Sequence, residues 1–405
     1  MPAPAQSVAH LAASATVRTA IEWFRRERAW INDQHLKVCR VPAPTFFEQK
    51  RAEWMAERFR SLNWESKLDR AGNVIAWLPG QRDSAAVAVT AHLDTVLAPR
   101  LPEEVKAATD GRLTGPGVSD NGAGLAALLA LAAAWSNAPP VRNTPLSPLL
   151  VANVGEEGEG NLSGMRYLCR PANTARLRAF LVLDGPSTDH ITCQALASRR
   201  FDVNITGAGG HSWSDYGIGN PVHALSRAVT TFTDEVAACF PNGGPRSSFN
   251  FGIIEGGSSI NSIPSEARAK VDLRSESAER IDRMAALLSA TTERAIEIEN
   301  GRSCGGRVTG RVKEIGSRPG GGLAQDAPIV EGVRAVDAHL GIRSHLDCSS
   351  TDANIPLSLG LPAVSIGAGG QGGGAHTAAE WFSPEGRERG LARVLLAVCL
   401  LLMHE

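Results

Sequence analysis

The stretch V-A-V-T-A-H-L-D-T-V, residues 87–96, decides how this chain is read. Val87, Val89 and Thr90 are β-prone, and the run is apolar enough to be a buried strand. It nevertheless ends on His92 and Asp94. Residues i and i+2 of a strand share a face, so an imidazole and a carboxylate leave the strand together. The plain reading is a His–Asp hydrogen bond at the rim of a sheet. The alternative is a site. Neighbouring segments repeat the pattern. S-P-L-L-V-A-N-V-G-E-E (147–157) and R-A-F-L-V-L-D-G-P-S (178–187) are apolar strands that also end on carboxylates, and N-V-I-A-W-L-P-G (73–80) is a further strand. Between them, residues 122–135 form a helix apolar nearly all round, which should be buried. Strands alternating with buried helices predict an α/β layered core. The segments 16–34 and 45–62 read as N-terminal helices.

Near Ser198 the pattern changes. R-R-F-D-V-N-I-T-G alternates like a half-exposed strand, and the order that follows is β-α-β-β-α-β, expected as a small α+β sandwich. The chain is therefore expected to comprise a discontinuous catalytic domain, residues 1–196 and 318–405, and an inserted domain, residues 197–317. The core resumes with a helix, the loop C-S-S-T-D-A-N-I-P, a strand at P-A-V-S-I-G-A-G, a glycine-rich loop and a last helix. A length of 405 residues suits two domains or one carrying an insertion.

A formal net charge of −1, from 41 basic and 42 acidic residues, argues against a nucleic-acid or polybasic membrane partner. The first twenty residues lack a basic n-region and a continuous apolar core, so no signal peptide is expected. No apolar run is long enough to cross a bilayer. The seven cysteines are odd in number and never form a C-x-x-C pair, which fits reduced thiols and a cytoplasmic protein.

The polar residues at the strand ends form a constellation: His92 and Asp94, Asp120 in G-V-S-D-N-G-A-G, Glu156 and Glu157, Asp184 in L-D-G, and His376 in G-G-G-A-H-T. In open α/β sheets, sites form outside the carboxyl ends of strands. Imidazole with carboxylate suits zinc, with cobalt or manganese as substitutes. Two close cations need a bridging carboxylate. Asp94 is spaced to accept the second N–H of His92, fixing its tautomer. Of the adjacent glutamates, one can bind metal while the other acts as general base. Each residue also has a plain reading: a solvated Glu-Glu pair, an N-cap at Asp120, a turn at Asp184-Gly185, a loop histidine at 376. Their joint occurrence at strand ends favours a site. G-A-G-G-Q-G (367–372) fits a dinucleotide fingerprint, but only one helix remains after it, so these glycines more simply deliver His376.

The motif order HLDT, GVSDNGAG, VGEEGEG, LDG, GGHS, INSIPSEARAKVDLRS, STDAN, GGAHTAAEW resembles the dinuclear zinc hydrolases that include carboxypeptidase G, peptidase T, aminoacylase and acetylornithine deacetylase. It is most similar to the peptidase T-like di- and tripeptidases. The resemblance covers almost the whole chain. It implies an α/β/α zinc-exopeptidase core with an inserted α+β lid and dimerisation domain, two Zn²⁺ per subunit, and a homodimer. It further implies that Asp120 bridges both metals, that His92 and Asp184 complete one, and that Glu157 and His376 complete the other. Glu156 would be the general base and Asp94 the partner of His92. His211 of GGHS would polarise the scissile carbonyl, and Asn261 and Arg274 would hold the substrate carboxylate. The plain readings of these three are a turn histidine, a strand-end asparagine and a surface ion pair. The C-S-S-T-D-A-N segment departs from relatives with Arg-Gly-Gly before Thr-Asp, so tripeptide specificity is not implied. The expected activity is hydrolysis of short peptides by a water activated between two metal ions. The alternatives are N-acyl amino acid deacylation and, in another class, a catalytically silent scaffold.

Overall fold

Four apolar strands lie side by side in parallel: Ser147–Asn153, Ala86–His92, Leu177–Leu183 and Ala363–Ile366. Strands buried on both faces read as continuous apolar runs, and Ala86–His92 is buried at all seven residues. Alternate side chains serve different faces. Val87, Val89 and Ala91 pack with the helices Gly122–Asn137 and Arg387–Leu402, whereas Ala86 and Ala88 pack with Leu162, Met165 and Leu357 on the other side. This is the α/β/α layering expected. The structure, a computed structural model, describes residues 4–240 and 244–403.

The nine-stranded sheet is completed by antiparallel strands at both edges. Glu65–Leu68 and Val74–Trp77 flank Ser147–Asn153. On the other side come His190–Ala195, the short Gly321–Gly322, and His345–Ser349, which runs parallel to His190–Ala195. His190–Ala195 and His345–Ser349 were not expected as strands. H-L-D-C-S alternates, but over only two apolar residues, Leu346 and Cys348, and as an edge strand it has one exposed and four half-buried residues. The single helix expected over 16–34 is broken at Glu27 into Ala15–Arg26 and Arg28–Cys39. Trp30 packs edge-on against Trp23 across the break, with centroids 5.6 Å apart.

The order of the parallel strands places the site. From Ala86–His92 the chain moves to one neighbour, Ser147–Asn153, and then returns to the opposite neighbour, Leu177–Leu183. Such a reversal leaves a crevice outside the carboxyl ends of the strands. His92, Glu156, Glu157 and Asp184 all lie at or just past those ends.

The chain divides into two units, one running up to Ala195 and resuming at Gly321, the other Leu196–Gly320. In the second unit a four-stranded antiparallel sheet has the order Ser247–Gly256, Glu266–Ser275, Ala197–Thr206, Thr309–Arg318. The helices Pro221–Cys239 and Ala278–Arg302 cover one face. Ala267, Ala269, Val271 and Leu273 point into that core with Phe232 and Met284, so the even-numbered residues of Glu266–Ser275 lie on the other face. Among the described residues, no helix is long and apolar enough to cross a membrane.

Candidate metal centre

Asp120 is the hub. One carboxylate oxygen is 3.0 Å from His92 Nε2, the other 3.1 Å from His376 Nε2. His92 Nε2 also lies 3.8 Å from Asp184 Oδ1, and His376 Nε2 lies 2.8 Å from Glu157 Oε1. Two donor sets thus share one carboxylate: His92, Asp120 and Asp184 on one side, His376, Asp120 and Glu157 on the other. Glu156 is buried and close to His92 and Glu157.

The donor chemistry fits divalent cations. His92 Nδ1 donates to the Asp94 carbonyl at 2.9 Å, which turns Nε2 toward a carboxylate oxygen of Asp120. A ring nitrogen facing an anion needs a proton or a cation between them. At Zn–ligand distances of about 2.0–2.1 Å, tetrahedral ligand atoms stand about 3.3 Å apart, close to the 2.8–3.8 Å found here. Electrostatics point the same way. Burial acts to raise the Asp120 pKa, but hydrogen bonds with His376 and His92 outweigh it and hold the carboxyl well below its usual range. Burial raises Glu157. His92 is buried, yet its three aspartate neighbours lift its pKa well above the ordinary value. His376, hydrogen-bonded to Asp120, is raised to about 9.

Asp94 works differently from expectation. Its carboxylate is 3.7 Å from His92 Nδ1, and its own backbone carbonyl takes that N–H instead. The carboxylate accepts the backbone N–H groups of Glu156 and Glu157, both at 2.9 Å, and the Thr45 hydroxyl at 3.0 Å. Asp94 therefore orients the imidazole through its main chain and the two glutamates through its side chain.

Several supporting residues escaped the sequence reading. Glu380, buried, accepts the N–H groups of Gly117, Ser119 and Asp120 at 2.7, 2.7 and 2.8 Å. Asn121 donates to the Leu183 carbonyl at 2.8 Å and accepts from the Gly185 N–H at 3.1 Å, tying the Asp120 loop to the Asp184 loop. His35 Nε2 donates to the Val118 carbonyl at 2.7 Å, while its Nδ1 accepts from Arg387. Burial and Arg387 keep His35 neutral, well below its ordinary pKa. Asp352 of S-T-D-A-N accepts from Asn153, and burial lifts its pKa to about 7.

His211, Asn261 and Arg274 belong to the second unit. His211 and Asn261 adjoin: His211 pairs with Ser262, and the Ser212 N–H donates to the Asn261 carbonyl at 3.0 Å. His211 Nδ1 accepts from the N–H groups of Trp213 and Ser214 at 3.2 and 3.3 Å. That leaves the ring proton on Nε2, on an exposed side chain. Arg274 is at the other end of the strand Glu266–Ser275, eight residues past Glu266, a span of roughly 26 Å at ~3.3 Å per residue. Its guanidinium pairs with Asp272 at 2.7 Å. The structure joins His211 to Asn261 and does not join Arg274 to either.

The chain matches the model of Peptidase family M20/M25/M40 over residues 88–400. It belongs to that family. This M20 chain is 24% identical over 354 residues to the uncharacterized protein YqjE of Bacillus subtilis, covering 83% of this chain and 89% of the relative. Aminopeptidase PepT from Bacillus cereus superposes with a TM-score of 0.71 at 20% identity, over 92% of this chain and 98% of that one. The Bacillus subtilis YXEP protein, a dinuclear metal-binding M20 peptidase, superposes with a TM-score of 0.66 at 15% identity, over 93% and 99%. The M20 chain is thus a metallopeptidase or amidohydrolase, and its general chemistry is metal-dependent hydrolysis of peptide-type amides.

Proposed function

We propose that this protein is a dinuclear metal exopeptidase acting on short peptides. The observation that carries the reading is the hub at Asp120, whose two oxygens face two separate histidine–carboxylate sets. In this reading His92, Asp120 and Asp184 hold one ion, and His376, Asp120 and Glu157 the other. Zinc fits these donors best, with cobalt or manganese as substitutes. Two bound cations would polarise the scissile carbonyl and make a water acidic at neutral pH. Glu156 takes the proton from the attacking water and returns it to the leaving nitrogen. His211, its proton kept on Nε2, donates to the carbonyl oxygen as negative charge develops. Asn261 and Arg274 grip the substrate's carboxylate, Arg274 exchanging Asp272 for it.

The separation of Arg274 from the His211–Asn261 pair supports a homodimer. A dipeptide is far shorter than the strand between them, so both meet one substrate only if two subunits contribute. The absence of a membrane-crossing helix among the described residues and the dispersed cysteines support a cytoplasmic protein. The likeness to PepT supports peptides over N-acyl amino acids. A panel of dipeptides, tripeptides and N-acetyl amino acids, assayed on metal-loaded protein, tests the choice. Cleavage of peptides is expected. Cleavage of the acetylated set alone would replace this reading with the deacylase one.

A further inference from the structure

Phe46 and Phe47 are exposed, 62% and 73%, and no core explains them. Both neighbours are fixed to the catalytic loop. The Thr45 hydroxyl donates to the Asp94 carboxylate, which holds the Glu156 and Glu157 amides. Glu48 accepts the Gly155 N–H at 3.1 Å. Phe46 and Phe47 are thus pinned between two anchors beside Gly155–Glu157. The Phe47 N–H donates to the Pro44 carbonyl at 2.8 Å, closing a turn in which Phe46 has φ of 76°. That third turn position favours glycine, and a bulky residue there is a genuine outlier. Strain of this kind concentrates at ligand clamps. A second apolar pair runs alongside. Pro44 bridges Thr95 in parallel, and Val96 and Leu97 follow at 44% and 40% exposure.

We propose that Phe46 and Phe47, with Val96 and Leu97 beside them, select an apolar side chain on the substrate residue that carries the scissile carbonyl. This rests on the exopeptidase reading, in which the carboxylate end is held by Asn261 and Arg274 of the other unit. The metal-bearing unit is then left to recognise the acyl side. Water-exposed aromatic faces next to the reacting carbonyl gain by covering an apolar side chain, and discrimination by such contacts runs at ~10-fold or more per methylene-sized difference.

The test compares kcat/KM for Leu-Gly, Phe-Gly, Ala-Gly and Glu-Gly in metal-loaded wild type, the double variant Phe46→Gly/Phe47→Ser, and the conservative Phe46→Leu/Phe47→Leu. Glycine suits the turn, so the first variant should fold, and its metal content is measured alongside. Wild type should favour Leu-Gly and Phe-Gly over Ala-Gly by ~10-fold or more. The Gly/Ser variant should bring that ratio close to one, and the Leu/Leu variant should keep most of it. An unchanged ratio in the Gly/Ser variant overturns the proposal, even if all rates fall together. So does a wild-type ratio near one. If wild type cleaves no peptide, the exopeptidase reading fails first and the proposal falls with it.

Discussion

His376 takes up a proton on the nitrogen that, in the proposed centre, would bind a cation. Its hydrogen bond to Asp120 raises its pKa from 6.5 to about 9. The raised value means that protonation stabilises the metal-free fold. That contribution is fully present below about pH 6.5 and is lost as pH rises through about 9. A divalent ion must displace the proton, so loading at pH 7 should release protons. Adding Zn²⁺ to chelator-stripped protein in weak buffer should acidify the solution, and the release should shrink toward pH 10. Metal uptake at pH 7 without proton release would locate the ion elsewhere. Phe46 offers a second test at this scale. A non-glycine residue at positive φ costs ~1–2 kcal/mol, partly offset by the greater unfolded-state freedom of glycine. Phe46→Gly should therefore raise the thermal midpoint. A clear fall would mean that Phe46 is held by packing.

Among the elements, the loop before the helix Gly122–Asn137 depends on Glu380. Three backbone N–H groups converge on that carboxylate. Glu380→Gln would set an amide NH₂ against at least one of them. Loss of an outer partner of a metal ligand costs ~10–100-fold in metal affinity or activity. The variant should show weaker metal retention in a chelator competition, and wild-type retention would reduce Glu380 to a structural role. Glu380 also shows where sequence reading stops. His92, Glu156, Glu157 and Asp184 stood out in the sequence because each lies at or just past the end of an apolar run, and Asp120 because it lies just before an apolar helix; the apolar strands themselves indicated the layer order. Glu380 lies 260 residues from Asp120 and bonds only to backbone, which leaves no periodicity or spacing to detect. His35 likewise reaches the carbonyl of Val118 and the side chain of Arg387 from far away in the sequence, and Asn121 reads only as the N-cap of its helix, not as a tie to the Asp184 loop. The Asp94 carboxylate was misjudged because the direction of the Glu156 and Glu157 amides is set by the chain path after Asn153. The strand His345–Ser349 was missed because its alternation rests on Leu346 and Cys348 alone, too short a pattern to mark a strand.

At the scale of the whole molecule, the proposed dimer makes a genetic prediction. Glu156→Gln and His211→Ala should each be nearly inactive. Mixed under conditions that exchange subunits, they should regain activity, because one site then combines an intact Glu156 with a partner's intact His211. A mixture that stays dead would assign His211 to its own chain. The centre itself is tested most directly by counting metal against turnover in three proteins. Wild type should bind two equivalents per chain. Glu156→Gln should keep both while losing ~10²–10⁴-fold in kcat, and Glu157→Ala should lose one. Two equivalents retained in Glu157→Ala, or metal lost from Glu156→Gln, would contradict the division of roles around Asp120.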